Sequence, residues 1–124
     1  MLFLGGGTEI IMKTNDAIVK ADNLRLNTLD DEQKARWLYE LDCDIAEMKG
    51  VEAPEWVFPT DRELLMPAEH EDVYVKYLVA MIDYYNGEGE LYVNDITIYN
   101  DAMKKARAWW IRHNRPASAG KWRV

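Results

Sequence analysis

The densest run of side chains with ligand or acid–base chemistry is Glu69-His70-Glu71-Asp72. A metal site built on it would need further His, Cys, Asp or Glu at confirming spacing, and the sequence supplies none. Acidic residues also favour a helix N-terminus, so the run reads as a hydrophilic helix start. Cys43 lies between Asp42 and Asp44, two carboxylates that would raise a thiol pKa and disfavour a reactive thiolate, so a small buried or half-buried side chain is expected. His113 falls near the end of a helical pattern, where it complements the helix dipole. Asp30-Asp31-Glu32 has the same N-terminal character and is not a catalytic pair, which would need a cleft and split pKa values. Gly5-Gly6-Gly7 is followed by no Lys-Ser/Thr, and none of the common nucleotide, nucleophile-elbow or zinc-protease motifs occurs. The expectation is no catalytic residue, no cofactor and no metal.

The elements that carry these residues read as helices. Asn15 to Leu24 has Ala17, Ile18, Ala21 and Leu24 on one face, with Thr14 as expected N-cap and a break near Asn27. Asp30 caps a second helix, with Gln33 three residues on, apolar steps at Leu38, Leu41, Ile45 and Met48, and Gly50 as its stop. Val51 to Pro67 holds three of the four prolines together with Trp56, Val57 and Phe58; its aromatics are expected to cover core, with a short strand or turn in reach.

A third helix, Glu69 to Asn86, is the most apolar. Between Asp72 and Asp83 its only charges are Asp72, Lys76 and Asp83, within roughly 40° of one another on a helical wheel. One narrow charged stripe is therefore expected on a helix otherwise covered, either at the centre of its own fold or between subunits. Gly87-Glu88-Gly89 turns the chain into a fourth helix, Glu90 to His113, with a seam of Tyr92, Ile96, Tyr99, Met103, Ala106 and Trp110. So short a turn implies an antiparallel hairpin. The fold class is an all-α bundle of about four helices in a single domain spanning 14–116.

Residues 1–13 read as a flexible extension. Met12 is the expected native start, because three glycine codons can be a purine-rich ribosome-binding site read through; a genuine N-terminal arm is the other reading. Residues 117–124 read as a mobile basic tail. Hydrophobic residues at 48% and charged residues at 30% fit a globular domain, and a single cysteine excludes an internal disulfide. No apolar run spans a bilayer, so no membrane partner is expected and the producing cell's cytoplasm is the expected location.

Charge is unevenly distributed. Seven of the fifteen basic residues lie from Lys104 onward with no acid among them, leaving eight basic against twenty-two acidic residues before that point. Either copies meet head to tail, or the basic end complements its own helix terminus. The net charge of −7 disfavours general nucleic-acid binding. Twelve residues are Trp or Tyr, types enriched at interfaces. Trp109 and Trp110 diverge by ~100° on a helix, so one meets the hairpin partner and the other faces a neighbouring subunit or the second helix. Candidate interface residues are Trp109, Trp110, Tyr74, Tyr85, Trp56, Arg112 and Arg115.

Several strings carry a family resemblance: Lys34 to Asp42 (KARWLYELD), Thr60 to Pro67 (TDRELLMP), Asp72 to Glu88 (DVYVKYLVAMIDYYNGE), Tyr99-Asn100 and Trp109 to Pro116. The chain resembles, over about Thr14 to Pro116, small structural proteins of tailed phages and prophages of Gram-positive gut bacteria, similar to head–tail connectors or adaptors. The resemblance implies a virion protein that forms a homo-oligomeric ring beneath the portal, partners that are the portal and other virion proteins, and passing contact with DNA threading the ring. It implies no enzymatic residue and no small-molecule ligand. The alternative is a small regulatory or nucleic-acid-binding helical protein using the basic end, against which stand the acidic total and the lack of a helix-turn-helix pattern.

Overall fold

The computed structural model describes residues 11–114. The expectations placed on residues before Ile11, on Arg115 and Pro116, and on the tail 117–124 lie outside the described residues. Four α-helices make up the fold: α1 Thr14–Leu24, α2 Asp31–Lys49, α3 Asp72–Tyr85 and α4 Gly89–Asn114. A 3-10 turn, Ala68–His70, leads into α3. The protein is an all-α small helical bundle, and the described residues contain no strand beyond an isolated antiparallel bridge between Lys13 and Glu63.

Local chemistry starts and stops these helices. The Asp30 carboxylate accepts from the Gln33 N–H at 2.9 Å, satisfying a free donor at the start of α2. Gly50 ends α2 at φ 73°, a left-handed conformation that glycine adopts without a Cβ clash. The start of α1 differs from expectation. Thr14 is the first helical residue rather than the cap, and its hydroxyl and N–H both donate to the Arg62 carbonyl. Capping comes instead from Asp61, whose carboxylate accepts from the Asn15 N–H at 2.9 Å, and from Asp16, which accepts from the Lys13 N–H at 3.1 Å. Two free donors are thus satisfied by residues from the far side of the sequence and from within the helix.

The folded unit also begins earlier than 14. Met12 is buried at 4% exposure within the core, and its carbonyl accepts from the Leu64 N–H. Met12 and Lys13 therefore belong to the domain and not to a flexible extension. Burial of an apolar side chain, together with two backbone ties to the 62–64 strip, outweighs the entropy of ordering them.

α3 is the hub. Val73, Tyr74, Leu78, Ala80 and Ile82 are all fully buried, and α1, α2 and α4 each pack against it. The central-helix reading holds, and the single charged stripe does not. Asp72 and Lys76 pair at the surface at 2.7 Å, whereas Asp83 is fully buried. Its burial is offset by Arg25 at the C-terminal end of α1, whose guanidinium Nε donates to it at 2.7 Å.

α3 and α4 are joined through Asn86–Glu88. Tyr84 meets Tyr92, Tyr77 meets Tyr99 and His70 meets Trp109, ring to ring, in the order of an antiparallel hairpin. The seam on α4 is the one the spacing gives: Met103 and Ala106 are buried, and Tyr92, Ile96, Tyr99 and Trp110 are half-buried.

Residues 51–67 run over the domain and are pinned to it. Leu64 and Met66 are buried in the core, and Trp56 packs against it. The ammonium of Lys49 donates to the Leu65 carbonyl at 2.9 Å. These ties explain how a segment without regular structure holds its place over the domain.

Candidate interaction surface

Each nominated side chain has a definite place. Tyr74 is fully buried, which removes it from the interface set. The apolarity of the third helix allows a place between subunits, but α3 is covered by its own chain. The Tyr74 hydroxyl donates to Asp42 Oδ1 and accepts from the Met66 N–H at 2.7 Å. Asp42 Oδ2 accepts from Arg62 Nη1 at 2.7 Å and from the Leu65 N–H at 3.2 Å. Asp42 is thus a fully buried carboxylate that locks the 62–66 strip to α2 and α3. Burial pushes its carboxyl pKa up, opposed by the Tyr74, Arg62 and Leu65 donors. The Tyr74 hydroxyl is pushed far up by burial and by the Asp42 charge, so it remains a donor.

Trp56 lies between Tyr39, edge-on at 5.5 Å, and Phe58, stacked at 5.9 Å, with the Arg36 guanidinium 4.2 Å from its ring centroid. Trp110 takes the second-helix alternative: the Lys49 ammonium sits 4.6 Å from its ring. Trp109 packs on His70 at 5.2 Å and stacks on His113 at 4.3 Å. Both tryptophans are half-buried and have partners inside the chain. His113 Nδ1–H donates to the Trp109 carbonyl, 2.9 Å away, in keeping with its place at a helix C-terminus. Tyr85 packs on Trp37 at 5.2 Å and on Tyr84, yet stays 56% exposed. Arg112 is exposed near the end of α4. Cys43 is half-buried.

The composite charge site that sequence reading missed is Arg25 with Asp83 and Asp95. One guanidinium ties the ends of α1, α3 and α4 together, donating to both carboxylates. Asp83 Oδ2 is buried without a hydrogen-bond partner. Burial first, then the neighbouring Asp95 carboxylate, push the Asp83 pKa up to about 6 against the opposing pull of Arg25. A carboxyl whose folded pKa exceeds its unfolded value, ~3.9, binds the extra proton in the folded state. Stability from this group is therefore fully present below about pH 4 and is lost as pH rises through about 6. Asp83→Asn should flatten the stability profile over that window; urea midpoints from pH 4 to 7 check it, and an unchanged slope contradicts it.

Among the described residues no group of three or more His, Cys, Asp or Glu side chains is placed to hold a metal, and no helix is long and apolar enough to cross a membrane. One depression lies between α1 and the start of α3, lined by Met12, Leu24 and Val75 together with Lys20 and Glu71. Its lining is mixed, with Asn23, Glu69 and Asp72 joining Lys20 and Glu71 beside the apolar side chains, and Glu71 Oε2 is buried without a hydrogen-bond partner among the described residues. What the surface does offer is apolar and aromatic area: Leu26, Tyr84, Tyr85, Leu91 and Val93 stand exposed around the α3–α4 turn. Comparison with family models, with curated proteins and with solved structures found no match.

Proposed function

We propose that this chain is a structural protein of a tailed phage or prophage, a head–tail connector that works by assembling with the portal and with copies of itself rather than by catalysis. The observation that carries the reading is the resemblance of the Lys34–Asp42, Thr60–Pro67 and Asp72–Glu88 strings to that family. The arrangement of those strings in the fold supports it. The first string supplies Lys34, Trp37, Leu38 and Leu41 to the core; the second is the strip locked by Asp42; the third is the hub helix and its turn. They read as the framework of one rigid unit, and the polar groups they bury are engaged in holding that unit together.

A rigid unit with exposed apolar side chains and a charge gradient suits repeated packing. The direct test is to mix the purified chain with the portal protein encoded beside its gene and to measure complex mass by light scattering. A defined complex of many copies on one portal ring is the expected result. Persistent monomers beside an intact portal would overturn the connector reading.

A further inference from the structure

Exposed apolar residues are concentrated at one pole of the molecule. Among the described residues, five of the twelve large hydrophobic side chains that are exposed lie around the α3–α4 turn: Leu26, Tyr84, Tyr85, Leu91 and Val93. Arg25 and Asn86 bring Leu26 there, through the Arg25 bonds to Asp83 and Asp95 and the 3.0 Å bond from Asn86 Nδ2 to the Leu26 carbonyl. Leu26 is 92% exposed and Tyr84 60%. From Tyr84 to Asn94 the only charged residues are Glu88 and Glu90, both exposed. This pole is aromatic and acidic.

The other end of α4 is its complement. After Asp101 the described part of the helix carries Lys104, Lys105, Arg107 and Arg112, all exposed, and no acid. Lys104, Lys105, Ile111 and Arg112 fall within roughly 120° of arc, on the side of α4 opposite its seam. Ile111 adds an exposed apolar side chain among the cations. Along α4, Lys104 lies about 21 Å and Arg112 about 33 Å from Glu90, so one copy cannot satisfy both poles with itself.

We infer that the α3–α4 turn of one copy docks the basic last turns of α4 of a second copy, head to tail. Charge complementarity selects the occupant. Glu88 and Glu90 attract Lys104 and Arg112, and the Tyr84 and Tyr85 faces receive a guanidinium, as Trp56 receives Arg36 at 4.2 Å within the chain. A nucleic acid would be repelled by this acidic pole. Because donor and acceptor patches differ, the contact is heterologous and propagates, closing into a ring where the rotation per copy allows. The inference rests on the assembly reading in one respect, that the working form is an oligomer; it does not require the portal.

The test is sedimentation velocity of the full chain over rising concentration at low and high salt. Glu88→Lys/Glu90→Lys and Lys104→Glu/Arg112→Glu are made as two double variants, with circular dichroism checking that each keeps its helices. The expected result is salt-sensitive association of the native chain, weakened on the order of tenfold or more in either variant and regained when the two are mixed in equal amounts. A native chain that stays monomeric throughout at low salt, association untouched by either reversal, or variants that fail to rescue one another would each overturn the contact. Portal binding by a chain that fails here removes this contact and leaves the connector reading standing.

Discussion

Asp42→Ala should lower the unfolding free energy by about 3–5 kcal/mol, the range for removing one partner of a buried charged pair. The Asp42 carboxylate is fully buried and accepts from three groups: the Tyr74 hydroxyl, the Arg62 guanidinium and the Leu65 N–H. Deleting it leaves a buried tyrosine hydroxyl without its acceptor, a partly buried cation without its counter-charge and a backbone donor unpaired. Each such loss costs about 1–3 kcal/mol taken singly, and they are not additive. Tyr74→Phe should cost less, about 1–2 kcal/mol, because Asp42 keeps Arg62 and Leu65 on Oδ2 while Asp42 Oδ1 loses the tyrosine donor and the Met66 N–H its acceptor. The double variant should cost less than the two single losses together, because both remove the same bond. Urea unfolding at neutral pH measures all three. A loss under about 1 kcal/mol for Asp42→Ala would mean that the 62–66 strip is held by its apolar side chains alone.

Leu78→Ala should cost about 2–5 kcal/mol, the range for a buried leucine truncated inside a packed core. Leu78 is fully buried in the middle of α3, the helix on which the other three pack. The void would open where relaxation is hardest, since α3 is covered on nearly all sides. Ile98→Ala provides the contrast. Ile98 is 43% exposed on α4, and its loss should fall within about 0.5–1 kcal/mol. Equal effects at the two positions would contradict the placement of α3 at the centre.

The helices were readable because their signals are local. Asp30 with Gln33, Gly50 at the end of α2, and the 4-3 rhythm from Tyr92 to Trp110 each lie within a turn or two of the structure they specify. The start of α1 was misread at Thr14 because its capping oxygen belongs to Asp61, forty-six residues away. Asp83 was assigned to a solvated stripe for the same kind of reason. Its angle on the helical wheel is right for Asp72 and Lys76, but Arg25, fifty-eight residues earlier, supplies the charge that permits burial. Asp42 was passed over as a neighbour of Cys43, since nothing in its own helix announces that Tyr74 and Arg62 converge on it. Tyr74 sits on an apolar helix that could equally lie between subunits, and its hydroxyl is satisfied inside its own chain. Apolar periodicity thus reveals which face of a helix is covered, while a buried polar group is revealed only by its distant partner.

The interface set divides along the same line. Trp56, Trp109 and Trp110 are half-buried against aromatic or cationic partners within the chain, whereas Tyr85, although it packs on Trp37 and Tyr84, and Arg112 are exposed at opposite ends of the α3–α4 pair. Large aromatic area marks covered surface, and it does not by itself distinguish a chain's own partner from a neighbour's. The poles around Tyr85 and Arg112 therefore carry the assembly argument, and the tryptophans mainly hold the 51–67 segment and α4 in place.

The most direct test of the proposed connector role is electron microscopy of lysates from cells in which the proposed phage or prophage is induced with this gene deleted. The account predicts DNA-filled heads and separate tails that fail to join, with joining restored when the chain is supplied from a plasmid. Intact tailed particles in the deletion strain would contradict it.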